Sequence, residues 1–226
     1  MSILSNLLNL FYPRLCAACD DTLYRNEPFL CTGCHYNLPR TNFHKNDEND
    51  VAKIFWGRVP VQYATAFYHF QKGGLVQNLM HKLKYKGQKE IGSELGKIIG
   101  KELCQSNFNE VDVIVPVPLH KSKLRKRGYN QSECIAVGIA EAMNKPMDIS
   151  TLYRAKANAT QTRKHRFERW TNVESIFALK HPETIANKHI LIVDDVVTTG
   201  ATLEACANAL LQAENVKVSI VTLAYA

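Results

Sequence analysis

The chain has 226 residues, which is enough for one sizeable domain and a small one. Hydrophobic residues make up 46% of it and charged residues 22%, a globular composition that excludes the disordered and fibrous classes. The formal net charge of +7 favours polyanionic partners, and a phosphate-binding enzyme would show the same excess.

The N-terminal segment, residues 3–11, is apolar but too short to span a bilayer. It has no positively charged start before it and no small-residue cleavage site after it, so it does not match a signal peptide. We expect an amphipathic helix that packs on the protein or on a partner. No other stretch is suited to span a membrane, and we expect a cytoplasmic protein, in which cysteine pairs bind metal more often than they form disulfides.

Four of the seven cysteines form two Cys-x2-Cys pairs within the first 34 residues, namely Cys16, Cys19, Cys31 and Cys34. Each pair can offer two thiolates from one tight turn, and two such turns complete a tetrahedral zinc site. The residues between the pairs are enough for a short hairpin. A redox pair and disulfides are the alternatives. The doubled spacing favours structural zinc, which would fold the segment and do no chemistry.

A polar, turn-rich stretch within residues 41–60 predicts a linker. Three large apolar residues inside it must dock against the protein, namely Ile54, Phe55 and Trp56. Residues 63–70 are aromatic and β-branched, and this composition predicts a strand.

Apolar residues at helical spacing predict helices over residues 75–83 and 91–103. Three lysines surround the end of the first of these helices, namely Lys82, Lys84 and Lys86. A run of charges at such a place is more often a solvated face than a binding patch, and we interpret it so.

A strongly basic segment follows the next predicted strand, residues 111–115, which ends at Pro116. Six of the eight residues 120–127 are His, Lys or Arg. We expect a loop here, at the carboxyl end of a strand, where open α/β sheets bind their ligands. A basic loop can bind a pyrophosphate that neutral amides could not hold alone. A helix is predicted to follow over residues 132–143.

A second basic segment, residues 154–172, has little hydrophobic periodicity and predicts a mobile excursion or a hairpin. A short strand is expected before it, within residues 147–153, and Phe177 and Leu179 return the chain to the core. The last predicted strand covers residues 216–223.

The most informative stretch begins with the apolar run 190–193, continues with Asp194 and Asp195, and leads through residues 198–202 into a helical pattern over 203–211. It predicts a buried strand, a tight loop and a helix. Small residues at a helix start expose backbone N–H groups, where the helix dipole also favours a phosphate. Two carboxylates beside that place can accept hydrogen bonds from sugar hydroxyls. The alternative is an ordinary strand, loop and capped helix.

This order of strand, two acids, Thr-Thr-Gly-x-Thr and helix resembles the signature of the type I phosphoribosyltransferases. The resemblance implies that the ribose hydroxyls of phosphoribosyl pyrophosphate lie on Asp194 and Asp195. It also implies that the 5-phosphate lies on the following loop, which comprises Thr198, Thr199, Gly200, Ala201 and Thr202.

Nearly the whole chain is similar to the ComF family, which joins an N-terminal zinc ribbon to a phosphoribosyltransferase domain. The pieces that carry this resemblance are the two cysteine pairs, residues 83–87, 115–118, 127–131, 152–154 and 172–177, Gln161, Arg169 and the acid-pair loop. The resemblance implies that Arg127 and its basic neighbours, Lys123 among them, lie near the pyrophosphate. It further implies that segment 154–172 closes over the substrate. Members of the family are linked to DNA uptake in natural competence, and a related branch to gluconate use.

Together these features predict an α/β fold, type I phosphoribosyltransferase-like, with a mainly parallel sheet flanked by helices and a small zinc ribbon in front. The expected parts are the ribbon segment 1–45, a linker and docking strand over 46–70, and the phosphoribosyltransferase-like domain 71–226. The expected activity is phosphoribosyl transfer from phosphoribosyl pyrophosphate with Mg²⁺, to an acceptor that the sequence does not name. The alternative is a non-catalytic protein that binds single-stranded DNA during uptake, together with other competence proteins.

Overall fold

The computed structural model describes residues 13–155 and 176–226. Two predictions fall outside the described residues: the N-terminal helix over 3–11 and the conformation of most of the basic segment 154–172. Among the residues that are described, no helix is long and apolar enough to cross a bilayer.

A four-stranded parallel sheet forms the centre of the molecule, with the strand order β1-β6-β5-β2. Its strands are β1 (Ala64–His69), β2 (Val113–Pro116), β5 (His189–Val197) and β6 (Lys217–Tyr225). The first part of β5 and most of β6 are buried, because helices cover both faces of the sheet. A separate antiparallel ribbon comprises β3 (Leu152–Arg154) and β4 (Phe177–Leu179).

Seven α-helices connect these strands within the described part of the chain. They are α1 (Thr32–Asn37), α2 (Asp50–Lys53), α3 (Leu75–Tyr85), α4 (Lys89–Leu103), α5 (Lys121–Arg127), α6 (Gln131–Met143) and α7 (Ala201–Leu210). Helices α3, α4 and α6 pack on one face of the sheet, together with the segment that carries the cysteine pairs. Helices α2 and α7 pack on the other face, with buried residues of the β3–β4 ribbon. The predicted α/β class, with a parallel sheet flanked by helices, is confirmed.

The predicted strand over 63–70 and the predicted helices over 75–83, 91–103 and 132–143 are present with small shifts of their ends. The last strand is also present. The strand expected within 147–153 begins only at Leu152.

The basic segment that we expected to be a loop is helix α5, so that prediction is wrong. Lys and Arg are good helix formers, and both ends of the segment have helix signals. The ring of His120 accepts a hydrogen bond from the backbone N–H of Ser122. Gly128 ends the helix in the left-handed conformation, with φ of 79°.

Strand β5 does not stop at the acids, as the apolar run suggested, but continues to Val197. Neighbouring β6 extends to Tyr225 and pairs in register with Val197, so the ladder persists through two residues of low strand propensity. The acids are therefore held in a sheet and not in a free loop.

The stretch predicted to be a linker is ordered and partly buried. Asn49 caps helix α2 by accepting hydrogen bonds from the backbone N–H groups of Val51 and Ala52. Phe55 is fully buried, whereas Trp56 is exposed. The segment docks through Val51 and Phe55 on the face of the sheet that α7 also covers. The division of the chain at residues 45 and 70 stays a prediction.

Candidate functional site

The two predicted acids lie at the carboxyl edge of the parallel sheet. Val193 pairs in register with Pro116, the last residue of β2, so Asp194 and Asp195 begin where the neighbouring strand ends. Helix α5 follows β2 at the same edge. This is the edge at which open α/β sheets bind ligands.

Asp194 is held by the start of helix α6 and by its own backbone neighbour. Its Oδ1 atom accepts a hydrogen bond of 2.7 Å from the hydroxyl of Ser132 and one of 2.8 Å from the backbone N–H of Asp195. Ser132 is buried and occupies the first turn of α6, whose start is capped by the side chain of Asn130. The carboxylate is thus fixed in one orientation before any ligand binds.

Asp195 forms an ion pair with a lysine from a different helix. Its Oδ2 atom lies 2.7 Å from Nζ of Lys84 at the end of α3, and the two side chains are only 14% and 19% exposed. The interpretation of 82–86 as a solvated basic face is therefore wrong for Lys84. Lys82 is also engaged, with its Nζ atom 2.5 Å from Asp20. Lys86 is exposed.

Burial and a neighbouring charge change the ionisation of Asp194, one member of the acid pair, by which we mean Asp194 and Asp195. Burial, and then the carboxylate of Asp195, raise the pKa of Asp194 to about 7. The hydrogen bond from Ser132 and the charge of Lys84 oppose this rise. A carboxylate that titrates near neutral pH is typical of functional sites.

The predicted phosphate-binding loop, residues 198–202, follows β5 and includes the first two residues of α7. It is called the 5-phosphate loop below. Together with Asp194 it lines a small cavity of about 50 Å³. About 10–15 Å³ is enough for one water molecule, so the cavity has room for a small anion. Gly200 has φ of 75° and precedes the first turn of α7, whose free N–H groups and dipole favour negative charge. The five predicted residues are thus brought together around one cavity.

Arg127 ends helix α5 and approaches the site region from the side. Its Nη1 atom donates a hydrogen bond of 2.5 Å to Oε1 of Gln131, and its guanidinium lies 5.4 Å from the ring centroid of Tyr85. Tyr85 directly follows Lys84, the partner of the acid pair. Lys123 is exposed on the same helix, and within the described ranges it forms no hydrogen bond or ion pair with the acid pair.

Sequence reasoning missed Lys84 and Ser132 as members of this site. Ser132 was expected only as the start of a helix. Lys84 stood between two other lysines of similar appearance, and only its place in the family-like stretch 83–87 distinguished it. Neither residue is close in sequence to the acids that it contacts.

The four N-terminal cysteines form a cluster, and their Sγ atoms all lie within 4.8 Å of one another. The Sγ atoms of Cys19 and Cys31 are 3.7 Å apart. Tetrahedral coordination at a Zn–S distance of about 2.3 Å places neighbouring sulfur atoms roughly 3.8 Å apart, so the donor set fits zinc. The same separation is far longer than the ~2.05 Å of a disulfide bond, and all four thiols are free.

Backbone groups support the cysteine cluster as they do in metal-binding turns. The N–H of Cys31 donates to Sγ of Cys16, and the N–H of Cys34 donates to Sγ of Cys31. Burial raises the pKa of Cys16, but backbone hydrogen bonds from Cys31, Cys19 and Ala18 outweigh burial and lower this pKa to about 7. Burial raises the pKa of Cys34, and a bound cation would reverse that preference because a coordinating thiol is deprotonated.

The cysteine cluster is built from turns and a helix. Leu15 and Thr22 form one antiparallel bridge around the first pair, and α1 begins directly after Cys31. The residues between the pairs, 20–30, form turns and bends and not the short hairpin that was expected there. The backbone carbonyl of Ala18 accepts a hydrogen bond from Asn78 of α3. The cluster therefore rests on the larger part of the molecule.

Comparisons with known proteins identify the families to which this chain is similar. The family described as "Phosphoribosyl transferase domain" matches residues 130–226, which include the acid pair and the 5-phosphate loop. The "DNA utilization protein YhgH" of Escherichia coli O157:H7 is 32% identical over 205 residues, which cover 88% of this chain and 84% of that protein.

Two further relatives match over shorter stretches. The "DNA utilization protein YhgH" of Salmonella typhi is 33% identical over 138 residues, 59% of this chain and 60% of that protein, so the match spans less than two thirds of this relative. The "Competence protein ComFC" of Bacillus subtilis (strain 168) is 30% identical over 142 residues, 61% of this chain and 54% of that protein.

Proposed function

The chain belongs to the ComF family, together with YhgH and ComFC, and we propose that it binds phosphoribosyl pyrophosphate at the acid pair and the 5-phosphate loop. One structural observation is the main support for this proposal. Two oriented carboxylates stand directly beside a small cavity at a helix N-terminus, all within one strand, loop and helix. Sugar hydroxyls can donate to the carboxylates and a 5-phosphate can accept from the N–H groups, and phosphoribosyl pyrophosphate carries both groups in one molecule.

We further propose that the bound sugar is transferred to an acceptor. The bond between the anomeric carbon and the pyrophosphate oxygen would break, and the acceptor's lone pair would form the new bond to that carbon. The acid pair would hold the ribose and Arg127 would stabilise the charge of the leaving pyrophosphate, with Lys123 as a second cation on the same helix. The closeness of Arg127 to the Lys84–Tyr85 end of α3 supports this role.

Mg²⁺ is proposed as the companion of the pyrophosphate. The ion is usually bound through substrate phosphates and one or two carboxylates while it keeps several waters. The donor set at this edge suits such binding, because the acids already have partners in Ser132 and Lys84 and the phosphates would supply the remaining oxygens. When bound, Mg²⁺ neutralises part of the leaving group's charge. For the cysteine cluster we propose structural zinc, and for the protein a cytoplasmic location, where free thiols are the rule.

Calorimetric titration with phosphoribosyl pyrophosphate tests the proposal. The dependence of the affinity on pH tests specifically whether Asp194 takes part in binding. The pKa of Asp194 is about 7, so its ionised fraction rises with pH and affinity should rise about fourfold between pH 6.5 and 8. The ligand's phosphates also titrate, near pH 6, and an Asp194→Asn variant measures their contribution. The variant should bind more weakly and show a flatter pH profile. No binding by the wild type, or equal slopes in both proteins, would contradict the proposal.

A second candidate function is supported by the exposed cations of α5. None of Lys121, Lys123, Arg125 and Lys126 forms an ion pair within the part of the chain that the structure describes, and all four are exposed. Pyrophosphate needs only one or two cations. The additional exposed cations of α5 suit a longer polyanion such as single-stranded DNA, which other competence proteins would deliver. Aromatic residues interleaved with the basic segments, namely Tyr129, Phe167 and Trp170, could stack on unpaired bases. Tyr129 is buried, however, and its hydroxyl donates to the carbonyl of Leu83, so it is not available. Phe167, Trp170 and the basic run 163–169 lie outside the described residues.

Replacement of Lys123, Arg125 and Lys126 by Ala should reduce single-strand binding if α5 holds DNA. Wild-type affinity should fall with salt, with a log–log slope of about −0.7 per phosphate contacted, and the triple variant should show a shallower slope. Phosphoribosyl pyrophosphate should compete, since both ligands would need Arg127. The control replaces two exposed lysines at the opposite edge of the sheet, Lys188 and Lys217, and should bind as the wild type does. Absent binding near physiological salt, or identical binding by the triple variant, rejects this function.

A further inference from the structure

The turn that follows helix α2 packs against the back of the 5-phosphate loop. A Cβ atom on Gly200 would lie 2.6 Å from Cγ2 of Ile54, which is closer than such atoms approach, and 3.1 Å from Cε1 of Phe55, which is tighter than most such contacts. Phe55 is fully buried, so the turn cannot simply move away. Gly200 is therefore required twice, for this contact and for its φ of 75°. The stretch that looked like a linker is the support on which the loop rests.

Arg58, the last residue of this turn, joins it to the 5-phosphate loop by hydrogen bonds. Its Nη1 atom donates to the carbonyl of Ile54 at 3.0 Å and to the carbonyl of Thr199 at 2.8 Å. Its Nη2 atom pairs with the carboxylate of Glu204 in the first turn of α7. One guanidinium thus contacts the supporting turn, the loop and the helix behind it, a geometry that its planar set of donors allows.

The bond to Thr199 determines where the next N–H group points. In a planar trans peptide the carbonyl of one residue and the N–H of the next point in opposite directions. Because Arg58 holds the carbonyl of Thr199 on the side of the turn, the N–H of Gly200 faces the other side, toward the cavity that both residues line. A peptide that flipped would present a carbonyl oxygen to the phosphate and would repel it.

The ion pair between Arg58 and Glu204 also favours phosphate binding, because it neutralises a carboxylate close to the cavity. A carboxylate in the first turn of a helix stabilises the helix but competes with an anion for the same dipole and N–H groups. Glu204 lies in that turn of α7, one residue beyond the lining of the cavity, which ends at Leu203. Pairing with Arg58 neutralises it there.

We propose that Arg58 is a positioning residue for the phosphomonoester end of the ligand: it fixes the Thr199–Gly200 peptide and neutralises Glu204, without touching the phosphate itself. The inference rests on the proposed function of the 5-phosphate loop. It assigns a specific effect to one residue, because the pyrophosphate end of the ligand is proposed to bind elsewhere, near Arg127.

The test compares three ligands in calorimetric titrations of wild type and Arg58→Met. Affinity for ribose 5-phosphate and for phosphoribosyl pyrophosphate should fall about tenfold, and affinity for free pyrophosphate should stay within twofold, since only the first two place a phosphate on the loop. Arg58→Lys should recover part of the loss by keeping the charge beside Glu204. Glu204→Gln should bind ribose 5-phosphate at least as well as the wild type, because it retains an acceptor for Arg58 and removes the charge.

Arg40→Met is the matched control. Arg40 forms an ion pair with Glu102, and the exposed side-chain fractions of this pair, 34% and 25%, are close to the 36% and 27% of Arg58 and Glu204. It should bind all three ligands normally. If Arg58→Met does not fold, the same titrations of Arg58→Lys and Glu204→Gln test the inference instead.

Unchanged affinity for ribose 5-phosphate in Arg58→Met overturns the inference. So does an equal loss for ribose 5-phosphate and pyrophosphate, which would indicate general damage to the fold. If the wild type binds neither ribose 5-phosphate nor phosphoribosyl pyrophosphate, the proposed function itself is wrong. If the wild type binds these ligands and Arg58→Met binds them equally well, only the role of Arg58 is wrong.

Discussion

Replacement of both Asp194 and Asp195 by Asn is expected to lower affinity for phosphoribosyl pyrophosphate at least about tenfold. Each carboxylate should accept charge-assisted hydrogen bonds from ribose hydroxyls, and such bonds contribute about 1.5–3 kcal/mol, where 1.4 kcal/mol corresponds to tenfold. Asn keeps the shape and one acceptor oxygen but loses the charge. Calorimetric titration of the double variant at pH 8, which is above the pKa of Asp194, measures the effect.

The double variant is expected to remain folded, so that lost binding can be attributed to the site. The pKa of Asp194 is raised to about 7, above an unfolded value near 4, so its contribution to stability is present below about pH 4 and is lost as the pH rises through 7. At pH 8 the buried charge destabilises the wild type, and the neutral Asn relieves this. The change Asp194→Asn should therefore not lower the melting temperature at pH 8. Asp50→Asn, on an exposed acid of helix α2, is the control for an ordinary charge loss. Full affinity in a folded double variant would refute the proposed role of the acids.

The acids and the 5-phosphate loop could be predicted because they are consecutive in the chain. Hydrophobic run, acids and small residues lie within residues 190–202, so local pattern alone indicates strand, loop and helix. The contacts that orient the acids come from remote elements. Lys84 is 111 positions before Asp195, from 195 − 84, and no periodicity links the two. The residues of the candidate site could be identified in the sequence, whereas the charge balance around the acids depends on how α3 and α6 pack on the sheet.

Two errors in the sequence analysis have a common physical origin. Helix α5 was expected to be a loop because its charge suggested a binding function, although Lys and Arg favour helices and His120 and Gly128 are ordinary helix ends. The 41–60 stretch was expected to be a linker because its first half is polar. The apolar cluster in its second half, around Phe55, determines that it folds against the sheet instead. In both cases a few local residues outweighed the average composition of the segment.

The cysteine cluster was predicted from the spacing of the cysteines alone. Its fold explains why a bound metal should contribute more to the stability of this segment than to that of the rest of the protein. The segment has few large buried side chains of its own, and Leu23 and Leu30 pack in the same core as residues of α3. Lys82 and Asn78 add polar contacts from that helix. The zinc that we propose for this cluster would supply the rest, since zinc binding to such cysteine sets contributes about 10–16 kcal/mol of apparent free energy.

Purified protein is therefore expected to contain about one zinc per chain, and Cys31→Ser is expected to lose it and to unfold only the N-terminal segment. Metal analysis measures the zinc, and hydrogen exchange should show lost protection around residues 15–38 with the sheet unaffected. Cys104→Ser is the matched control, because Cys104 is a half-buried thiol outside the cluster that should serve only as packing, as should Cys134 and Cys206. The control should keep its zinc. The structural zinc site is wrong if the wild type contains no zinc, or if Cys31→Ser retains as much as the control does.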